Sequence, residues 1–285
     1  MKNNTVKGAL YIIASAFFFA LMGLFVQLSG DLPSMQKSFF RNVVALVVSG
    51  IILIKDKSGF KWGKGNLMPL ILRSLFGTVG ILCNFYALDH LILSDALMLN
   101  KLSPFFAVIF SFLILKERIG IFHISMVMVA FVGSLFIIKP TPELLNPASI
   151  VGFIGGIGAG AAYTMVRKLT GSGERKSYII FFFSLFSSII MLPSFIFKYV
   201  DMNMIQVVYL ILAGISATLG QFAITTAYSY AAARDISVYD YTQIIFSTLM
   251  SLIVFGTMPD MLSVIGYLVI FAATVIMFIR NRMTK

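Results

Sequence analysis

The chain has 285 residues, of which 59% are hydrophobic and only 12% charged, and its mean hydropathy is +0.95. Soluble domains carry about a quarter of their residues as charged side chains, so this composition excludes an ordinary soluble fold. The net charge of +11 is no nucleic-acid signature here, because the bases sit in short connections between apolar runs, where they set topology. Cys83 stands alone inside an apolar run, which excludes an internal disulfide framework or thiolate metal site.

At about 20 residues per span, the sequence predicts an all-α membrane protein with ten transmembrane helices. They fall at roughly 8–28, 34–54, 68–88, 94–115, 119–138, 149–167, 177–197, 206–230, 236–256 and 261–280. The opening run GALYIIASAFFFALMGLFVQL is too long for the apolar part of a secretory signal and lacks a clear cleavage site, so it reads as the first span. The longer connections are the basic KDKSGFKWGKGN (55–66), whose Trp62 reads as an interfacial anchor, and the Pro-rich KPTPELLNP (139–147). Nearly all Lys and Arg outside the spans fall on the side of both termini, against Lys139 and Lys198 on the other. The positive-inside rule then puts both termini in the cytoplasm and predicts a multi-pass protein of the cell membrane, in a bacterium the inner membrane.

Shifting the chain on itself by 140 residues lays Thr78 on Thr218, Gly80 on Gly220, Asp95 on Asp235 and Ser111 on Ser251, while the first two helices of each half align poorly. The expected organisation is a first five-helix repeat at 1–139, a linker at 140–148 and a second five-helix repeat at 149–285. Five spans is an odd number, so the repeats are inverted, a plan of secondary transporters with a site near the midplane.

Candidate site residues are polar groups that lipid would not tolerate. In the fourth span Asn100, Lys101 and Ser103 precede Pro104, which should kink the helix. Lys101 lies roughly 12 Å deep, and its functional role is binding an acidic substrate, its structural one an internal ion pair. On the second span Lys37 and Arg41 share a face; Lys37 reads as snorkelling outward, and Arg41 serves either the cavity or helix-end carbonyls. Asp240, with Tyr241, Thr242 and Gln243, marks the ninth span. Its roles are binding an ammonium group, exchanging a proton, or pairing at the interface. Straight spans keep Asp240 and Lys101 about 12 Å apart along the normal, which argues against a direct pair unless the helices tilt or break. Arg73 reads as snorkelling from the cytoplasmic end of the third span, and Asp95 and Asp235 as helix caps. Gly152, Gly156 and Gly160 make a packing stripe on the sixth span, followed by Tyr163, which either lines the cavity or packs. His90 and His123 lack metal-ligand spacing, and no cofactor is expected.

The run RSLFGTVGILCNFYALDHLILSDALMLNKLSPFFAVIFSFLILKERI, with Gly133 beyond it, resembles the first half of an EamA-type carrier of the drug/metabolite transporter superfamily. VYDYTQIIFSTLMSLIVFGTMPD is similar to that family's ninth helix, and MQKSFFRNVVAL to its second, with Arg41 as the family's arginine. One departure is Thr257, where the family often has Glu; the first-half counterpart Glu117 is retained. The resemblance implies ten helices, both termini inside, a cavity lined by helices 1–4 and 6–9, and movement of small organic metabolites. The resulting expectation is a secondary active transporter of an anionic or zwitterionic metabolite by alternating access. Its substrate-binding candidates are Lys101, Arg41, Asn100, Asp240, Gln243, Tyr241, Tyr163 and Lys37, with protons as a candidate coupling ion. The alternatives are an exporter of cations and a channel or non-transporting membrane partner. A membrane-embedded enzyme lacks support, because no carboxylate pair, metal cluster or nucleophile with a base lies in the spans. Nucleic acid is not an expected partner; the small-molecule substrate and the lipid bilayer are.

Overall fold

A computed structural model describes residues 2–56, 59–91, 93–140, 147–256 and 258–283. Lys57, Thr257, Lys285 and most of the linker (141–146) lie outside the described residues, as does the side chain of Asp95. The elements are α1 (Lys2–Leu28), α2 (Ser34–Lys55), α3 (Leu67–His90), α4 (Leu93–Asn100), α5 (Ser103–Leu115), α6 (Ile121–Ile138), α7 (Pro147–Gly171) and α8 (Lys176–Phe197). They continue as α9 (Met204–Tyr230), α10 (Ala233–Ile236), a 3₁₀ turn (Ser237–Tyr241), α11 (Thr242–Phe255) and α12 (Met261–Met283). Among the described residues, ten segments are long and apolar enough to cross a bilayer, the fourth being α4 with α5 and the ninth running from Ala233 to Phe255. Large apolar side chains such as Ile253, Leu268 and Ile189 stay exposed on the outside of the bundle, as a lipid-facing surface requires.

Both broken spans break at equivalent places. In the fourth, α4 stops at Asn100 and α5 restarts at Ser103 with Pro104 in its first turn, a position where the missing N–H costs nothing. In the ninth, 140 residues on, the backbone tightens into 3₁₀ geometry through Tyr241 before α11 begins. Each span also ends on a left-handed residue, Lys116 (φ 56°) and Gly256 (φ 68°), again 140 apart. Gly256 meets that geometry without the Cβ penalty that Lys116 bears.

The repeats interlock by exchange. α1 packs along α9 and α11, and α7 packs along α3, α4 and α5. The 140-residue correspondence extends to these first helices, where the sequence alignment is poor. Ser15 Oγ donates to the Gly220 carbonyl at 3.0 Å. Its counterpart Gly155 lies against the counterpart carbonyl, Gly80 O, so closely that a Cβ would come within 3.3 Å. The glycine stripe on α7 serves this approach: a Cβ on Gly156 would sit 2.6 Å from the Leu99 carbonyl, at the break in the fourth span. α6 and α12 pair at the periphery, and α2 packs on α8 and α9.

At the end of the bundle that carries the termini, polar contacts join the connections. Glu174 accepts from Gly63 N (2.8 Å) and Asn66 Nδ2 (2.9 Å), and Arg175 pairs with Asp56 at 2.8 Å. Trp62 is half exposed there beside Tyr178, as an interfacial anchor would be. At the opposite end Asp260 caps α12, accepting from Ser263 N and Oγ, and pairs with Lys139. The Lys139 ammonium, with the Ser263 donors, holds the Asp260 carboxyl down to about 2.

Candidate functional site

A cavity of about 530 Å³ enters the bundle from the end opposite the termini. Gln27 in the last turn of α1, Lys37 in the first turn of α2, Leu88 on α3 and Leu97 on α4 stand at its mouth. Arg73 on α3, Tyr163 on α7, Phe183 on α8 and Gln221 on α9 make its floor. Arg41, Asn84, Asn100, Gln243, Ser247 and Ser251 line the wall between, with Phe19, Ile81 and Phe85 as apolar cover. The lining comes from spans one to four and six to nine; α6 and α12 contribute none of it.

Of the sequence-predicted residues, Lys37, Arg41, Asn100, Tyr163 and Gln243 line this cavity, whereas Lys101, Asp240 and Tyr241 stand behind its wall. Lys37 donates to the Gly30 carbonyl at 2.6 Å, the outward reach expected of it. Tyr163 stacks on Tyr228, with ring centroids 5.7 Å apart.

Lys101 and Asp240 meet directly, contrary to the separation that straight spans imply. The Lys101 ammonium lies 3.2 Å from Asp240 Oδ2 and 2.7 Å from Gln243 Oε1, and the Tyr241 hydroxyl donates back to the Lys101 carbonyl at 3.0 Å. The reason is the ninth span. It begins at Ala233, earlier than the apolar run suggests, and includes a 3₁₀ turn with a longer rise per residue. Asp240 is therefore about 12 Å in from one face and Lys101 about 12 Å in from the other, and a lysine side chain closes the remaining ~6 Å of a ~30 Å core. Lys101 and Tyr241 are repeat counterparts, so the two breaks hold each other at the centre.

Arg73 is the residue that sequence reasoning missed. It is only 3% exposed and does not snorkel. Its guanidinium lies over the Phe183 ring at 3.9 Å, and Nη2 makes one long contact, 3.4 Å, to Gln221 Oε1. Nε and Nη1 have no partner. The available signal was Gly77, one turn further along α3. A Cβ there would fall 2.2 Å from Arg73 Nη1, so glycine opens the route by which the side chain turns toward the cavity instead of the near membrane face.

Asp235 does not cap α10. Its carboxylate faces His123 Nε2 at 3.4 Å and Arg234 Nε at 3.5 Å. Beyond the cavity floor, toward the termini, Arg167 Nε pairs with Glu117 at 3.1 Å and Nη1 donates to the Tyr228 carbonyl at 2.9 Å, while Ser111 donates to the other Glu117 oxygen. This layer ties α7 to the end of α9. Among the described residues no group of His, Cys, Asp and Glu is placed to hold a metal ion.

Ten apolar spans in two interlocked repeats around a polar central cavity define a multi-pass membrane transporter. The model of the EamA-like transporter family matches residues 6–139 and again 146–279, and the chain belongs to that family. It is 29% identical over 273 residues to the pseudopaline exporter CntI of Pseudomonas aeruginosa, covering 94% of this chain and 95% of the relative. It is also 26% identical to the riboflavin transporter of Vibrio cholerae (91% and 88% covered) and 27% identical to human solute carrier family 35 member G1 (94% and 78%). A solved crystal structure with 14% identity covers 97% of both chains at a TM-score of 0.82, which shows the shared fold. The family's members are transporters, and this chain is a transporter and not an enzyme.

Proposed function

We propose that the chain is a secondary active carrier that moves a small anionic or zwitterionic organic metabolite across a bacterial inner membrane by alternating access. The observation that carries this reading is the charge of the cavity. Lys37, Arg41 and Arg73 line it and, among the described residues, no carboxylate does. A concave site of one sign with low-dielectric walls draws the opposite charge and repels its own, so an organic cation fits poorly. With both termini cytoplasmic, as the distribution of bases implies, this is the outward-facing arrangement, its floor closed by the Arg167, Glu117 and Tyr228 layer. The inverted repeats supply the second arrangement by exchanging conformations. Relatives named for exporting pseudopaline and transporting riboflavin agree with small organic cargo. Asp240, buried at the midplane against Lys101, is the group through which a proton would couple.

Purified protein screened by thermal shift against carboxylates, amino acids and organic cations tests the charge preference, since a ligand that binds the folded state raises its apparent stability. Acids should stabilise it. Stabilisation by cations alone would overturn the reading. Uptake of the stabilising acid into proteoliposomes, with and without an imposed pH gradient, then tests transport and coupling.

A further inference from the structure

Resting on that reading, we infer that the cavity is built for a dianionic organic acid, with one acid group on the open donors of Arg73 and the second on Arg41. The first observation is the state of Arg73. Its guanidinium is held in one plane by the Phe183 face and by Gln221, and the N–H groups of Nε and Nη1 are buried without partners. A buried cation with unmet donors is strongly unfavourable unless something from outside meets them. A carboxylate meets such a donor in a charge-assisted hydrogen bond.

The second observation is the charge count. Arg41 lies within electrostatic reach of Arg73, and among the described residues neither has an ion-pair partner. The carboxylate nearest the cavity wall to receive the ammonium group of a zwitterion is Asp240. It is turned onto Lys101, behind the wall, and Gln243 presents its oxygen to the same ammonium. An amino acid would bring a cation into a cavity that already holds two unpaired ones. Two acid groups on one carbon skeleton neutralise both arginines, and the skeleton meets apolar cover at Phe19, Ile81 and Phe85.

The test is binding by thermal shift and equilibrium titration of the full chain, with short-chain dicarboxylates, monocarboxylates of matched length and zwitterionic amino acids as probes. Dicarboxylates should bind at least about tenfold more tightly than matched monocarboxylates. Arg73→Gln should weaken both classes, and Arg41→Gln should weaken only the dicarboxylate, down to the monocarboxylate level. Should Arg73→Gln fold poorly, Gly77→Ala crowds the guanidinium instead and should give the same loss. A monocarboxylate or amino acid that binds as tightly as any dicarboxylate and is lost in Arg73→Gln overturns the dianion while leaving the anion carrier standing. Acid binding indifferent to both Arg73→Gln and Gly77→Ala overturns the proposed site and leaves the anion carrier standing, and binding of no acid removes both.

Discussion

Arg167→Met should loosen the closed end of the transporter. The arginine makes two contacts there, one to Glu117 at 3.1 Å, which joins the second repeat to the first, and one across to the Tyr228 carbonyl at 2.9 Å, which joins α7 to α9. The ion pair is 25% and 21% exposed at its two side chains, which places it between the surface pairs worth about 0–1 kcal/mol and the buried pairs whose breaking costs about 3–5 kcal/mol. A loss of about 1–2 kcal/mol in the closed arrangement follows, and at ~0.6 kcal/mol per RT this is a 5- to 30-fold shift in a two-state equilibrium. Methionine keeps most of the volume and removes every donor, so packing is largely conserved. The assay is thiol modification in detergent, where both faces are accessible. Ser237→Cys is introduced in a Cys83→Ser background, because Ser237 is buried next to Tyr228, a member of the layer that closes this end. Its modification rate should rise about 5- to 30-fold when Arg167→Met is added. An unchanged rate in folded, monodisperse protein would refute the idea that this contact holds the end shut.

Two further outcomes are expected. Lys101→Met strands the Asp240 carboxylate in the midplane and should cost about 3–5 kcal/mol of stability; adding Asp240→Asn should recover most of it in denaturation midpoints, and a double variant no more stable than the single would contradict the pair's role. Under the 140-residue shift, Arg167 and Tyr228 correspond to Gln27 and Leu88, which stand apart at the mouth. If the repeats exchange conformations, Gln27→Cys and Leu88→Cys should cross-link during turnover and stop transport until reduced; transport that continues in the fully cross-linked protein would count against this closure.

The ten spans were legible because length and hydropathy decide what crosses a bilayer, and few residues can override them. The broken fourth span was legible from Pro104. The broken ninth span has no proline, and its signal was only that residues 240–241 fall where 100–101 fall in the other repeat. Missing it displaced Asp240 by one helical turn, and that turn separates a direct ion pair from a gap. Arg73 was misread for a related reason. Counting residues from a helix end measures depth along the axis but does not say which way a long side chain turns. That direction is set by Gly77 and Phe183, the second of which is 110 residues away in sequence. Lys101 was the opposite case: its burial was legible, but the partner that consumes its charge was not, and the proposed anion-binding role therefore rests on Arg73 and Arg41.

The repeat explains the geometry of this molecule, and departures from the repeat explain its chemistry. Lys101 and Tyr241 occupy equivalent positions and hold each other across the centre, while Asn100 in one repeat answers Asp240 in the other. One half therefore supplies the cation and the other the carboxylate, and the midplane is neutral without any substrate. The cavity arginines have no such balance. The counterpart of Arg73 is Ala213, and α8, which answers α2, carries no Lys or Arg between Lys176 and Lys198. The closing layer is likewise ionic at one end, through Arg167, and uncharged at the other, through Gln27. A strictly symmetric pair of repeats would populate its two arrangements equally. Charge confined to the first repeat gives the site its sign. On the proposed mechanism, the arginine confined to the second favours the arrangement in which that site opens away from the termini.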